Sequence, residues 1–238
     1  MFSLKKSSAI VLEVLFPSFC YLCSQPAPSG MPLCEECLNQ IEKINNKCRI
    51  CGVAFSEITP EHICGRCRKE KPKFDLARGW VKFTEPAGQI IHQFKYQRGF
   101  YFLNWIADGL AELYETEFAS LDFDLIVPVP LHWKRLIQRG YNQALILAKA
   151  LARRIKLPLN PSLLKRKINT QTQVGLSINQ RKKNLKNAFE VKQKDKVFGK
   201  RILVVDDVIT TGTTANEVSK ALKNAGAEIV GIIAFARA

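Results

Sequence analysis

The sequence predicts an α/β protein: an open parallel sheet with helices on both faces, preceded by a small cysteine-rich module. Three observations carry that prediction. Ile202 to Val205 and Ile229 to Phe235 are continuous apolar runs flanking a helical pattern, as strands buried on both faces of a parallel sheet require. Asp124-Leu-Ile-Val-Pro-Val-Pro130 is a further buried run, ended by its prolines. All eight cysteines fall before residue 68, and the composition shifts near Lys71-Pro72-Lys73. The predicted organisation is therefore a module over 1–72 and an α/β domain over 73–238.

At 238 residues the chain can hold one or two domains around an ordinary buried core. Its 47% apolar and 24% charged content is that of a globular protein. No run approaches the roughly 18 apolar residues of a membrane span. Ser7 to Phe19 is apolar, but it carries Glu13 and Pro17 and lacks a small-residue cleavage site, so it does not read as a signal peptide. A cytoplasmic location is expected.

The cysteines form four Cys-x-x-Cys pairs: Cys20/Cys23, Cys34/Cys37, Cys48/Cys51 and Cys64/Cys67. Two thiolates three positions apart grip one zinc ion, and two pairs complete a tetrahedral site. A reducing compartment disfavours the disulfide alternative. Two structural zinc ions are expected. Sequential pairing gives two stacked ribbons; interleaved pairing is the alternative that the spacing leaves open. Gly52 fits a tight knuckle turn, and Cys34-Glu-Glu-Cys37-Leu can open a short helix. Eight thiolates fill both sites, which leaves His62 as a surface residue and no open position for catalysis.

Beyond the module, Leu76 to Phe83 reads as a strand, and residues 87–98 and 102–115 as helices. After Pro130 a basic loop, 131–140, carries Lys134, Arg135 and Arg139. The helix that follows has Ala144, Ala148, Leu151 and Ile155 on one face. Residues 165–188 lack steady periodicity, and a loop this long in a compact domain reads as a lid. It carries Lys165, Arg166, Lys167, Arg181, Lys182, Lys183 and Lys186, with Gln171, Gln173 and Asn184 suited to hydrogen bonds with a substrate. From Ser177 it can turn helical.

The chemistry concentrates after Val205. Asp206 and Asp207 project from adjacent positions at the strand end, and the loop Thr210-Thr-Gly-Thr-Thr214 follows. Thr213 or Thr214 is the expected helix cap, and Gly226 the expected stop. Loop N–H groups, hydroxyls and a helix N-terminus together favour a phosphate, through charge-assisted bonds worth roughly 1.5–3 kcal/mol each. The carboxylates would repel that phosphate and suit hydroxyls or a divalent cation instead. Phosphate, vicinal hydroxyls and metal together describe a ribose 5-phosphate. Ligands of open parallel sheets lie beyond the carboxyl ends of the strands, so the basic loop at 131–140 converges on the same crevice.

Val204-Val-Asp-Asp-Val-Ile-Thr-Thr-Gly-Thr-Thr214 resembles the phosphoribosyl-pyrophosphate (PRPP) motif of type I phosphoribosyltransferases. That resemblance implies that Asp206 and Asp207 hold the ribose hydroxyls and that Thr210, Thr211, Gly212, Thr213 and Thr214 hold the 5′-phosphate, with Mg²⁺ accompanying PRPP. Paired carboxylates at a strand end also open response-regulator receivers, but only 31 residues follow Asp207 here. The double zinc ribbon, Val127-Pro-Val-Pro130, Arg139-Gly-Tyr-Asn-Gln143, then Thr170, Gln173, Leu176, Arg181 and Asn184, extend the resemblance over essentially the whole chain to the ComF/ComFC competence family. It implies a type I phosphoribosyltransferase-like fold and a role in taking up or processing DNA.

Three function classes are open at this point. The first is a transferase moving phosphoribosyl from PRPP to an unknown acceptor, in DNA handling or in nucleotide and base metabolism. There the acidic pair would help a cation-like transition state, and Lys134, Arg135, Arg139 and Arg181 would hold pyrophosphate. The second is a single-stranded DNA-binding module with PRPP as ligand. The third is an adaptor whose ribbons dock a DNA helicase or recombination protein. Charge bears on the second: residues 134–201 hold 19 Lys or Arg against two acids, a net +17, exceeding the whole chain's +15. That surplus suits a polyanion, with Lys182, Lys183 and Lys186 as DNA contacts and Trp133 and Tyr141 as candidate stacking residues.

Overall fold

The computed structural model describes residues 18–56, 62–167, 185 and 187–238. The cysteine pairs fold in two manners. Cys20/Cys23 and Cys48/Cys51 form knuckles, each followed by a residue with positive φ, Ser24 at 62° and Gly52 at 67°. Cys34 and Cys64 instead cap one-turn helices, α1 (Glu35–Asn39) and α2 (Gly65–Lys69), their sulfurs accepting from the N–H groups of Cys37 and Cys67. The expected knuckle at Gly52 and the helix after Cys34 are both present.

The α/β part begins with β1 (Leu76–Lys82). Two helices follow, α3 (Glu85–Tyr96) and α4 (Leu103–Glu117), each within two residues of its sequence expectation. Next come β2 (Leu125–Pro128), α5 (Trp133–Arg139) and α6 (Gln143–Ile155). The chain then runs through β3 (Leu164–Arg166), β4 (Phe189–Val191), β5 (Arg201–Ile209), α7 (Thr213–Asn224) and β6 (Ile229–Arg237). The main sheet has the order β1-β6-β5-β2, and its three pairings are parallel. No described helix is long and apolar enough to cross a membrane.

Alternation along β5 builds two cores. Leu203 and Val205 face a layer made by α3, α4 and α6, with Ile90, Phe94, Ile106, Leu110, Leu147 and Leu151 among the buried side chains. Ile202 and Val204 face the opposite layer, built on Val218 and Leu222 of α7. The cysteine groups divide between these layers: Cys20, Cys34 and Cys37 join the first core, and Cys48, Cys51 and Cys67 the second. Between them the module covers the outer edge of β1. Ala77 N–H donates to Ile50 O at 2.8 Å, Lys82 N–H to Glu42 O at 2.7 Å, and Lys43 bridges antiparallel to Val81. Gly52 lies so close to the strand that a Cβ there would sit 2.4 Å from Ala77 O.

Three local expectations are corrected. The basic stretch 131–140 is helical, not a loop: His132 caps α5 with its imidazole, 3.3 Å from Lys134 N, and Gly140 closes it at φ 78°. The helix buries no residue, so hydrophobic periodicity carries no signal for it. Residues 165 and 166 are not irregular but belong to β3, which pairs antiparallel with β4. That pairing is non-local and only three residues long, beyond what local pattern encodes. Finally, α7 is capped by Gly212 at φ 76° rather than by Thr213 or Thr214. Thr211 contributes instead: its hydroxyl meets Thr213 Oγ1 at 2.8 Å and accepts from Thr213 N at 3.4 Å. The far end follows expectation. Gly226 takes φ 92°, and the Gly226 and Ala227 N–H groups close back on Lys223 O and Leu222 O in a Schellman motif.

Candidate functional site

Beyond the carboxyl ends of β2 and β5, where an open parallel sheet binds ligands, lies a crevice of about 290 Å³. Asp206, Asp207, Thr210 and Thr214 line it together with Lys95, Arg135, Arg139 and Arg166. The carboxylates are consecutive residues, so the strand alone cannot send both to one side. Both lie within β5, which holds its register with β6 through Val208 and Ile209, and the Asp207 N–H donates to Asp206 Oδ1 at 2.9 Å.

The two acids differ electrically. Lys95 Nζ stands 3.0 Å from Asp207 Oδ2 and neutralises that carboxylate. Asp206 differs: burial and the adjacent Asp207 charge push it up to about 7, against the Asp207 N–H and the charges of Lys95 and Arg166, which pull it down. A proton therefore occupies much of Asp206 near neutral pH, in a place that a cation or a ribose hydroxyl can take. The remaining charged lining is cationic. Arg166 is buried, and desolvation together with Arg135 lowers it to about 10, still charged at neutral pH. Its guanidinium lies 5.6 Å over the Phe189 ring. Arg139 is held by the Tyr96 hydroxyl at 3.3 Å and by Gln143 Oε1 at 3.4 Å. Three guanidiniums and an ammonium around one crevice with two acids make a site for a ligand with anionic and hydroxylic ends.

The sequence-predicted residues divide. Asp206, Asp207, Thr210, Thr214, Arg135 and Arg139 come together in this crevice. Thr211, Gly212 and Thr213 line a neighbouring cavity of about 320 Å³ on the side of Cys51 and Arg66. Lys134 is not among the crevice residues and lies 5.6 Å over the Trp133 ring. Trp133 is exposed, whereas Tyr141 donates to Phe94 O at 2.6 Å. Arg181, Lys182, Lys183 and Lys186, with the body of the expected lid, lie outside the described residues. Sequence reasoning did not assign Lys95 and Arg166 to the site. Lys95 sits on a helix rather than at a strand end, and Arg166 differs from its basic neighbours Lys165 and Lys167 in being the buried one, on a strand that local pattern does not reveal.

The cysteines assemble into two groups, sequentially paired: Cys20, Cys23, Cys34, Cys37 and Cys48, Cys51, Cys64, Cys67, with all sulfurs of a group within 4.8 Å of one another. A tetrahedron of about 2.3 Å zinc–sulfur bonds has edges of about 3.8 Å, and Cys23–Cys34 and Cys51–Cys64 stand at 3.5 and 3.7 Å. In each group one thiol is prepared for ionisation. Burial opposes it, but backbone N–H groups bring Cys20 to about 6 and Cys48 to about 7. Burial and the neighbouring sulfurs push Cys37 and Cys67 up. Four thiolates this close require a cation, so the donor set fits zinc.

Two family models match the chain: "Double zinc ribbon domain" over residues 11–68 and "Phosphoribosyl transferase domain" over 142–238. Competence protein F of Haemophilus influenzae is 38% identical over 217 residues, 87% of this chain and 90% of the relative. DNA utilization protein YhgH of Salmonella typhimurium is 33% identical over 93% of this chain and 97% of its own length. Competence protein ComFC of Bacillus subtilis is 23% identical over 82% and 79%. The fold is thus a phosphoribosyltransferase-like parallel sheet behind a double zinc ribbon with two four-cysteine sites, and the chain belongs to the ComF competence-protein family.

Proposed function

We propose that this protein binds PRPP with Mg²⁺ in the crevice and acts, as a phosphoribosyltransferase-like protein, in the handling of single-stranded DNA during uptake. The observation that carries the reading is the gathering of Asp206, Asp207, Thr210 and Thr214 with Lys95, Arg135, Arg139 and Arg166 around one crevice. In this reading Asp206 and Asp207 hold the ribose 2′- and 3′-hydroxyls, and the N–H groups and hydroxyls of Thr210 to Thr214 hold the 5′-phosphate. Arg135, Arg139 and Arg166 hold pyrophosphate, with Lys134 and Arg181 as further candidates. Hard carboxylate oxygens suit Mg²⁺, whose contribution when bound is to neutralise pyrophosphate charge. Lys95 releases Asp207 when that cation arrives.

Transfer of the phosphoribosyl group to an acceptor is a further step. Asp206 and Asp207 lie where positive charge at C1′ would be stabilised, and the arginines would take up the leaving pyrophosphate. The names of the relatives, competence protein F and DNA utilization protein, support the DNA role, as does the net +17 of residues 134–201. The same reading assigns the chain to the cytoplasm, with the ribbon over 1–72 and the PRPP domain over 73–238.

Calorimetry with PRPP and Mg²⁺ tests the site. An Asp206→Asn, Asp207→Asn double variant should lose at least about tenfold in affinity, given roughly 1–3 kcal/mol per lost polar contact; unchanged affinity rules this site out. Pyrophosphate release in the presence of bases or oligonucleotides separates transferase from binding protein. For DNA, Lys182→Glu with Lys183→Glu should flatten the salt dependence of oligonucleotide binding by about 0.7 in log–log slope per lost contact. An unchanged slope removes this stretch from the DNA surface.

A further inference from the structure

Arg237, at the end of β6, is fully buried and reaches in two directions. Its Nε donates to Cys51 O at 2.9 Å, and its Nη2 lies 3.8 Å from Cys51 Sγ. Its Nη1 donates to Ile209 O at 3.1 Å and to Thr210 O. Arg66, between the ligands Cys64 and Cys67 on α2, donates from Nη1 to Thr211 O at 3.0 Å. Three consecutive carbonyls, 209 to 211, are thus held by guanidiniums anchored in the second four-cysteine group.

This matters because of peptide geometry. In a trans peptide the C=O of one residue and the N–H of the next point in opposite directions. Carbonyls 209 to 211 drawn toward the ribbon therefore turn the N–H groups of Thr210, Thr211 and Gly212 away from it. Those are the donors that an anion at this loop would use, and a cation on the carbonyl side polarises them further. Among the described residues the first cysteine group has no equivalent link to this loop. It packs Cys20, Cys34 and Cys37 into the core of α3, α4 and α6, and beside it the Tyr21 ring stacks on Tyr101 at 3.6 Å and the Tyr21 carbonyl accepts from Gln93.

We propose that the second four-cysteine group sets the conformation of the phosphate loop, with Arg66 and Arg237 as positioning residues, so that metal binding at Cys48, Cys51, Cys64 and Cys67 and PRPP binding at Thr210–Thr214 are thermodynamically coupled. The proposal rests on the PRPP reading of the loop. Zinc fixes the knuckle that carries Cys51 and the turn that carries Arg66. Loss of the metal frees both anchors, and the loop loses its preset donors. Coupling is reciprocal, so PRPP tightens zinc at this group by the same factor.

Arg66 is exposed, so Arg66→Ala tests the link without opening the core. In the full chain it should keep both zinc ions, speed hydrogen exchange at residues 210–213, and weaken PRPP binding about fivefold, the order of one charged hydrogen bond acting indirectly. Arg66→Lys should recover part of both effects, and Tyr21→Ala, beside the other cysteine group, should change neither. Cys64→Ser should bind one zinc fewer and speed exchange at the loop even without ligand. Wild-type exchange and affinity in Arg66→Ala overturn the proposal, as does an equal loss in Tyr21→Ala. If wild-type protein fails to bind PRPP, the reading of the loop fails. The ligand-free exchange comparison then still decides whether the cysteine group positions it.

Discussion

The two four-cysteine groups share a ligand set, a spacing and a knuckle-plus-helix construction, yet they sit in different surroundings. The first packs Cys20, Cys34 and Cys37 on the core of α3, α4 and α6 with Cys23 exposed, and its neighbouring contacts are an aromatic stack and surface pairs such as Lys43–Glu112. The second is built into the protein. Arg78, buried, donates to Cys48 O and Arg49 O and pairs with Glu117 at 2.7 Å, and Arg237 ties Cys51 to the phosphate loop. Identical metal chemistry thus serves as a module packed on one core in the first case and as one tied by buried guanidiniums to the strand and the phosphate loop in the second. The backbone carbonyls around a site, and what donates to them, separate the two cases.

The largest effect should come from the metal ligands. Cys48→Ser should lower thermal stability of the whole chain by several times more than Cys23→Ser, because small zinc modules draw roughly 10–16 kcal/mol from the ion and only the second group shares the core of α7. Equal losses in a melting series would erase the distinction between the groups.

Next is Arg78→Met. Glu117 is partly exposed and keeps Lys47 at 2.6 Å, so the loss is about 1–3 kcal/mol, and Cys48 O and Arg49 O lose their donor as well. Burial raises Glu117, but Arg78 and then Lys47 more than offset this and hold it below the usual carboxylate range. A depressed carboxyl contributes stability that is present above its unfolded value, about 4.3, and is lost as pH falls through the folded one. Wild type should therefore lose this contribution in acid, and Arg78→Met should show a shallower acid limb in denaturant titrations.

Smaller again is a pH effect at the crevice. Asp206, at about 7, is mostly protonated at pH 6 and mostly ionised at pH 8, and cation-assisted binding needs the ionised form. PRPP–Mg²⁺ affinity should rise about tenfold across that interval, with proton release on binding, and Asp206→Asn should flatten the rise. In the unliganded protein the sign is opposite: a raised carboxyl costs stability as pH climbs from about 4 to about 7. Smallest is Lys43→Met beside the first group, where an exposed pair is worth about 0–1 kcal/mol. A loss beyond that range in a chemical denaturation curve would show the first group to be more deeply integrated than its contacts suggest.

Legibility in the sequence followed the range of the interactions. Ile202 to Val205, the paired acids and the threonine loop are contiguous, so pattern revealed both the strand and its chemistry. The cysteine pairs announced themselves by spacing, and sequential pairing was the simpler closure. What was hidden depends on distant partners. Arg237 reads as the end of a strand until Cys51 and Ile209 are brought against it. Lys95 becomes a site residue only when α3 is laid beside Asp207. Arg166 looks like one more cation in a basic run until β4 covers it, and α5 has no buried face for periodicity to report.

The cover over β1 has a consequence for the protein outside its folded, metal-bound state. The opposite edge, β2, is closed by residues 158–160 through Ile126, so both margins of the sheet are occupied. The cover of β1, however, is made of segments held in place by the two metal groups: Ile50 beside Cys51, and Glu42 and Lys43 beyond α1. A bare strand edge is a template for pairing with another chain. Protein made under zinc starvation would expose Leu76-Ala-Arg-Gly-Trp-Val-Lys82 along that edge. It should accumulate as light-scattering assemblies, even where the phosphoribosyltransferase-like sheet has formed.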